Sequence, residues 1–228
     1  MATVDDIQSR VAAIVDQDYD TGNLASTDYA LRLNYLNRRE RSWSETGKWQ
    51  SLYKEFNTLT STSSGNTSIS LPSNYRFLAG FTKITFDGSN TADFAEIKPT
   101  DEVQFESVSS QYVKILGNPS DGYTMVVNSS NADKQLVSGA SIKVLYYATP
   151  SSLTSPANVV TCPNPEYLVQ GVIADIWEAR EDARFQQAKV EANIVLQNML
   201  EFEQTPTVAS YDNEVKTKDQ RLSFRWGR

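Results

Sequence analysis

The sequence predicts an α+β protein: a helical scaffold of two N-terminal helices and one long C-terminal helix, an antiparallel β domain inserted between them, and an extended C-terminal arm. Three observations carry that reading. Apolar residues recur at helical spacing in residues 3–15, 27–46 and 166–203. Residues 49–150 change to aromatic and β-branched segments divided by Ser, Thr, Asn and Gly, and residues 205–228 hold a proline and few aliphatics. The organisation that follows is 1–47 for the first helices, 48–150 for the β domain, 151–204 for a linker and the long helix, and 205–228 for the arm. With 228 residues, 39% of them hydrophobic, the chain has enough apolar material for a sizeable core.

The first helix is predicted from Val4, Ile7, Val11, Ile14 and Val15, with Thr3 as its cap and Asp5 and Asp6 favourably placed in its first turn. Acids and Gly22 then break the pattern over Asp16 to Leu24. Ser26 or Thr27 caps a second helix, striped by Tyr29, Leu33 and Leu36, that stops at Gly47. Strands are expected at 49–60, 67–71, 76–86, 111–116, 123–128 and 141–148. A period of two puts Ile142, Val144 and Tyr146 on one face of the last strand, and Tyr123, Met125 and Val127 on one face of another. Gly117 to Gly122 reads as a tight hairpin connection, because glycine supplies positive φ and Pro119 presets a turn. Residues 60–68 and 128–139 are polar enough to be exposed loops. Asn164, Pro165 and Glu166 supply a cap, a preset φ and a favourable acid for the long helix, which runs to about Glu203. Its stripe is Leu168, Val172, Ile176, Ala179, Ala183, Val195, Met199 and Phe202, and its polar middle, Glu178 to Glu191, needs partners.

Composition removes most chemistry. There is no histidine and a single cysteine, Cys162, which excludes imidazole-based triads, imidazole zinc sites and intrachain disulfides. Without a neighbouring base Cys162 reads as inert. A net charge of −7 argues against general nucleic-acid binding, and no apolar run is long enough to span a bilayer, so the chain is expected to be soluble and without a leader. Asp16, Asp18, Asp20 and Gly22 suggest a calcium loop, but the glycine falls one position late and Thr27 stands where a bidentate glutamate belongs. The basic run Arg32, Arg38, Arg39 and Arg41 reads as a solvated helix face, with Arg41 paired to Glu45. Glu178, Glu181, Asp182 and Glu191 lack the histidines of a carboxylate-bridged metal site. No catalytic, cofactor or metal site is therefore expected.

The arm is different. It carries five bases and three acids, a charge of +2 against −9 for the remainder, and it ends in Arg221, Phe224, Arg225, Trp226 and Arg228. Aromatic and arginine side chains together suit anchoring in a pocket on another chain, so these five residues are the candidate partner-binding site.

The layout resembles head-to-tail adaptor, or connector, proteins of tailed bacteriophages. The resemblance rests on the short acidic helix, the segment Tyr29 to Trp49 with Leu36-Asn37-Arg38-Arg39-Glu40-Arg41 and the tryptophans Trp43 and Trp49, the extended Leu71-Pro72-Ser73-Asn74-Tyr75, the strand ending Val144-Leu145-Tyr146-Tyr147, and the helix from Pro163. It implies a structural virion protein, not an enzyme, that forms a generally dodecameric ring between portal protein and tail or nozzle protein. It further implies a DNA channel without sequence-specific binding, a place in the virion neck after assembly in the host bacterial cytoplasm, no membrane contact, and C-terminal arms that reach the portal. Two rivals stand beside it: a carbohydrate-binding or adhesive module stacking sugars on Tyr75, Tyr112 and Tyr123, and a glycosidase built on carboxylates alone.

Overall fold

The computed structural model describes residues 2–17, 26–59, 67–85, 91–97, 111–127 and 140–204. Within them lie four helices and eight strands: α1 (Val4–Val15), α2 (Ser26–Thr46), β1 (Tyr53–Leu59), β2 (Thr67–Ser70), β3 (Tyr75–Leu78), β4 (Thr82–Thr85), β5 (Thr91–Ile97), β6 (Tyr112–Asn118), β7 (Gly122–Val127), β8 (Ser141–Ala148), α3 (Pro165–Ala179) and α4 (Phe185–Gln204). The α+β class holds. The arm, the Asp18 to Gly22 part of the acidic loop and most of the two polar loops lie outside the described residues.

Local chemistry sets the helix ends. Thr3 Oγ1 accepts the Asp6 amide at 3.2 Å while the Asp6 carboxylate accepts the Thr3 amide at 2.8 Å, a reciprocal capping box. Asn164 Oδ1 accepts the Glu166 amide at 3.0 Å, with Pro165 in the first helical position.

The single long C-terminal helix is corrected to two. α3 ends in a Schellman motif, in which Asp182 N–H donates to Trp177 O at 2.9 Å and Glu181 N–H to Glu178 O at 3.1 Å. The motif puts Glu181 in the left-handed region, at φ 57°, a place usually taken by glycine. Asp182 then accepts the Arg184 amide at 3.0 Å, and α4 folds back along α3. The polar middle thus contains the turn, at residues 180–184, and the predicted stripe is not kept across it: Ala183 and Phe202 are exposed.

The all-antiparallel sheet is corrected as well. The strand order is β1-β8-β4-β5-β6-β7-β2, and β5 pairs parallel with β6 through Ala95↔Tyr112 and Ile97↔Lys114. β8 is the centre of the arrangement: β1 takes one edge along its length, and β3 and β4 share the other. The strand expected at 76–86 is therefore interrupted, with Ala79 N–H still donating to Leu145 O at 2.8 Å between its two parts. Tyr53 begins the first strand only after a 3-10 turn at Gln50–Leu52.

Apolar side chains gather in two clusters. One joins the four helices and the 153–162 linker around Trp43, Trp49, Leu168 and Ile173. The other lies on the sheet around Phe94, Val113, Met125, Ile142 and Val144. The predicted alternation of β8 decides which face goes where, since Ile142, Val144 and Tyr146 are buried in the sheet cluster while Tyr147, on the opposite face, packs against the helical one.

The β6–β7 hairpin is tighter than its sequence suggested, since Asn118 already pairs with Gly122 and only residues 119–121 turn. Asn118 Oδ1 accepts the amides of Ser120 at 2.8 Å and Asp121 at 3.0 Å. Gly117 sits at φ 107°, and a Cβ there would fall 2.1 Å from Gly122 O. Gly117→Ala is expected to cost about 2 kcal/mol or more, the sum of left-handed strain and a backbone clash. Urea unfolding checks this, and a midpoint equal to the parent's would show that the turn relaxes freely.

Candidate interaction surfaces

The Tyr29 to Trp49 segment is the polar centre of the helical unit. α2 runs past α3 and the 150–162 linker, and its polar side chains fasten to both. Asn37 bonds the linker backbone in both senses, accepting the Leu153 amide at 2.7 Å and donating to Leu153 O at 2.9 Å. Glu40, buried, receives the Thr161 amide. Arg39 Nε and Nη2 donate to the two carboxylate oxygens of Asp175 on α3 at 2.9 and 2.6 Å, and Arg38 reaches the same carboxylate at 2.7 Å. Gly171, one turn before Asp175, opens the path: a Cβ at that position would stand 3.0 Å from Arg39 Cδ.

The expected solvated basic face is corrected in part: Arg38 and Arg41 are exposed, while Arg32 and Arg39 turn inward. Arg32 is only 4% exposed in its side chain and pairs with Asp16, which also accepts from Arg180 at 3.3 Å. Arg39 is half-buried, and of the pairs on Asp175 only Arg38, 62% exposed, is open to solvent. Arg41 lines a cavity of about 360 Å³ between α2 and the sheet, with Arg76, Tyr75 and Tyr123. Arg76 donates to Ser44 O across the same junction and lies over the Phe77 ring at 5.2 Å.

The remaining candidates are dispersed. Asp16 serves the arginine pairs just described. Asp182 is bound by Arg184, whose side chain and amide hold its carboxyl down to about 2, and Arg184 stacks over Trp177 at 4.5 Å. Glu191 accepts from Gln187 at 2.9 Å, and no group of three metal-binding side chains occurs among the described residues. Cys162 is buried, its thiol pushed up to about 12 by burial. Tyr75 is buried edge-on against Tyr123 with ring centroids 5.1 Å apart, so it offers no face for sugar stacking. Arg221, Phe224, Arg225, Trp226 and Arg228 lie outside the described residues.

Sequence reasoning missed one surface. Val190 and Ile194 on α4 are 56% and 54% exposed, while Ala188, Ala192 and Met199 of the same helix are buried. At about 100° per residue the exposed pair stands opposite the buried stripe. The signal was present as a β-branched pair one turn apart, but the assumed continuous helix placed it in the wrong phase.

Where they are described, the arginines of α2 and their carboxylate partners bind the chain's own helices together, and Asn37 and Glu40 fasten the linker. A family model described as SU10 adaptor protein covers residues 2–209, and the chain belongs to that family. It is thereby a phage structural adaptor. No curated protein matches it. The arm residues 221–228 fall beyond the matched range.

Two substitutions separate the load on Asp175. Asp175→Ala leaves the half-buried Arg39 without its carboxylate and is expected to cost about 3 kcal/mol, whereas Arg38→Ala at the exposed partner costs less than about 1 kcal/mol. Urea unfolding of both variants checks the contrast; equal losses would place the energy elsewhere. Burial raises the Glu40 carboxyl above its ordinary value of 4.5, against the hydrogen bonds from the linker amides. The folded chain then holds this proton more tightly than the unfolded chain. Its contribution to stability is present at low pH and lost as pH rises from about 4.5 through the raised value. Glu40→Gln removes that slope, so the parent should lose stability relative to the variant over this interval. Parallel unfolding curves at each pH measure it, and a pH-independent difference would contradict it.

Proposed function

We propose that the protein is a ring-forming head-to-tail adaptor: copies assemble, as a dodecamer, beneath the portal protein, join it to the tail or nozzle protein, and line part of the DNA channel in the virion neck. The single observation that carries this reading is membership in the adaptor family over residues 2–209. The chain acts structurally and without catalysis, and it is assembled in the host bacterial cytoplasm. A net charge of −7 suits a channel wall along which a polyanion slides without sticking. The sheet cluster, drawn from residues between Ile69 and Ala148, supports treating 48–150 as an inserted unit on a helical one formed by 1–47 and 151–204, with Trp49 and Leu52 packed into the helical cluster. No described helix is long and apolar enough to cross a membrane.

The arm of 205–228 is the portal anchor. Its +2 charge and its Phe224, Arg225, Trp226 and Arg228 suit a groove that buries rings and pairs guanidinium groups with carboxylates or carbonyls. Deleting 221–228 should leave the thermal unfolding of the subunit unchanged and abolish co-sedimentation with the portal. Trp226→Ala alone should cost on the order of 2 kcal/mol per arm, multiplied around the ring into a large loss of avidity. A truncated chain that still attaches normally would move the anchor elsewhere. Native mass measurement with and without portal tests the ring itself.

A further inference from the structure

We propose that neighbouring copies in the ring meet through the outer ridge of α4, with Val190 and Ile194 of one copy seated in the groove between α2 and α3 of the next. The inference rests on the ring reading and adds the surfaces by which the ring closes. Exposed valine and isoleucine gain nothing as helix formers, because their branched side chains lose rotamer freedom against the preceding turn. Their place opposite the buried stripe of α4 therefore asks for a second packing partner. The groove has the matching shape. It encloses about 250 Å³, its wall includes Leu31, Tyr35, Ile176 and Ala179, and Leu31 is 47% exposed. Leu31 and Tyr35 are one helical turn apart, as are Val190 and Ile194, so a helix laid along the groove meets both apolar steps.

Charge selects the same pairing. Lys189 and Glu191 flank the exposed pair on α4, and Asp28 and Arg180 are exposed charges of the groove. Arg180, half-exposed, borders the groove, reaching Asp16 through Nη2 at 3.3 Å with the rest of its guanidinium facing outward. Glu191, next in sequence to Val190, brings a carboxylate toward this basic margin, and Asp28 on the groove wall offers a partner to Lys189. The occupant is thus an aliphatic helix edge with an adjoining acid, which the second copy supplies. Ridge and groove are different patches of one chain, so the contact is heterologous. Such contacts propagate head to tail and close into rings, where a self-complementary patch would stop at a dimer.

Cysteine cross-linking of the full chain tests the pairing directly. Cys162 is buried and leaves the readout to introduced thiols. The double variant Leu31→Cys with Ile194→Cys should give, on mild oxidation, a ladder of covalent dimers, trimers and higher oligomers, while each single variant gives none. Arg180→Glu should weaken association measured by sedimentation velocity, and adding Glu191→Arg should restore it. Dimers from Ile194→Cys alone would overturn the proposal by revealing a symmetric α4 contact. A protein that assembles by native mass without forming the ladder would overturn the pairing and leave the ring standing. A chain that stays monomeric at every concentration and gives no ladder would remove both.

Discussion

The carboxylate of Asp175 is the point on which the helical unit turns. It lies on the buried face of α3 and receives a bidentate guanidinium from Arg39 and a second from Arg38, so the separation and rotation of α2 against α3 are set by hydrogen bonds of fixed geometry. Apolar packing alone would leave more freedom: Leu36, Val172 and Ile173 tolerate small sliding, whereas a planar fork on a carboxylate does not. The pairing has a sequence cost one turn away, where Gly171 replaces a better helix former so that the Arg39 stem can cross. Once α2 is fixed, Asn37 and Glu40 on the same helix are in position to tie down the linker at Leu153 and Thr161. That linker returns the chain from the sheet to α3, so the relative placement of the two apolar clusters descends from the same helix.

Much of this was legible in the residues and some was not, for physical reasons that differ by site. Capping signals at Thr3 and Asn164 read true because they depend on side chains within three positions of the helix start. The alternation of β8 read true because one face of the strand is fully buried. The break between α3 and α4 was hidden because glycine, the usual marker of a left-handed C-terminal residue, is replaced by Glu181. β5 was hidden because Thr91-Ala92-Asp93-Phe94-Ala95-Glu96-Ile97 offers only two large apolar residues, and its parallel neighbour lies across 98–111. Arg32 and Arg39 of α2 were misread for a different reason. Local spacing reports amphipathicity, but nothing near Arg39 in sequence announces that its carboxylate is 136 residues away.

The junction between sheet and helices is made from aromatic and cationic groups. Tyr53, Tyr147 and Phe77 form a continuous run of ring contacts, with centroid separations of 5.8 and 5.1 Å, and Arg76 covers Phe77 while bonding the α2 backbone at Ser44. Such contacts are individually worth about 0.5–1.5 kcal/mol and depend on ring orientation. They hold the sheet at a set angle without merging the two apolar clusters.

The distribution of polarity between inside and outside then follows a single logic. Arg32, Arg39, Glu40 and Asp175 are buried or half-buried and paired within the chain, while Leu31, Val190 and Ile194 stand in solvent. Paired interior charges contribute little net stability against well-packed apolar residues, but they enforce one geometry, since each alternative arrangement leaves an unpaired charge in a poorly hydrated place. Exposed apolar residues do the opposite: they are tolerant of angle and gain free energy from any partner that covers them. In a subunit repeated by symmetry, small angular errors accumulate around the assembly, so specificity belongs inside the subunit and adhesion at its surface. In the ring proposed above, with geometry fixed by the Asp175 cluster, modest apolar contacts at each boundary would be enough, because closure would multiply them.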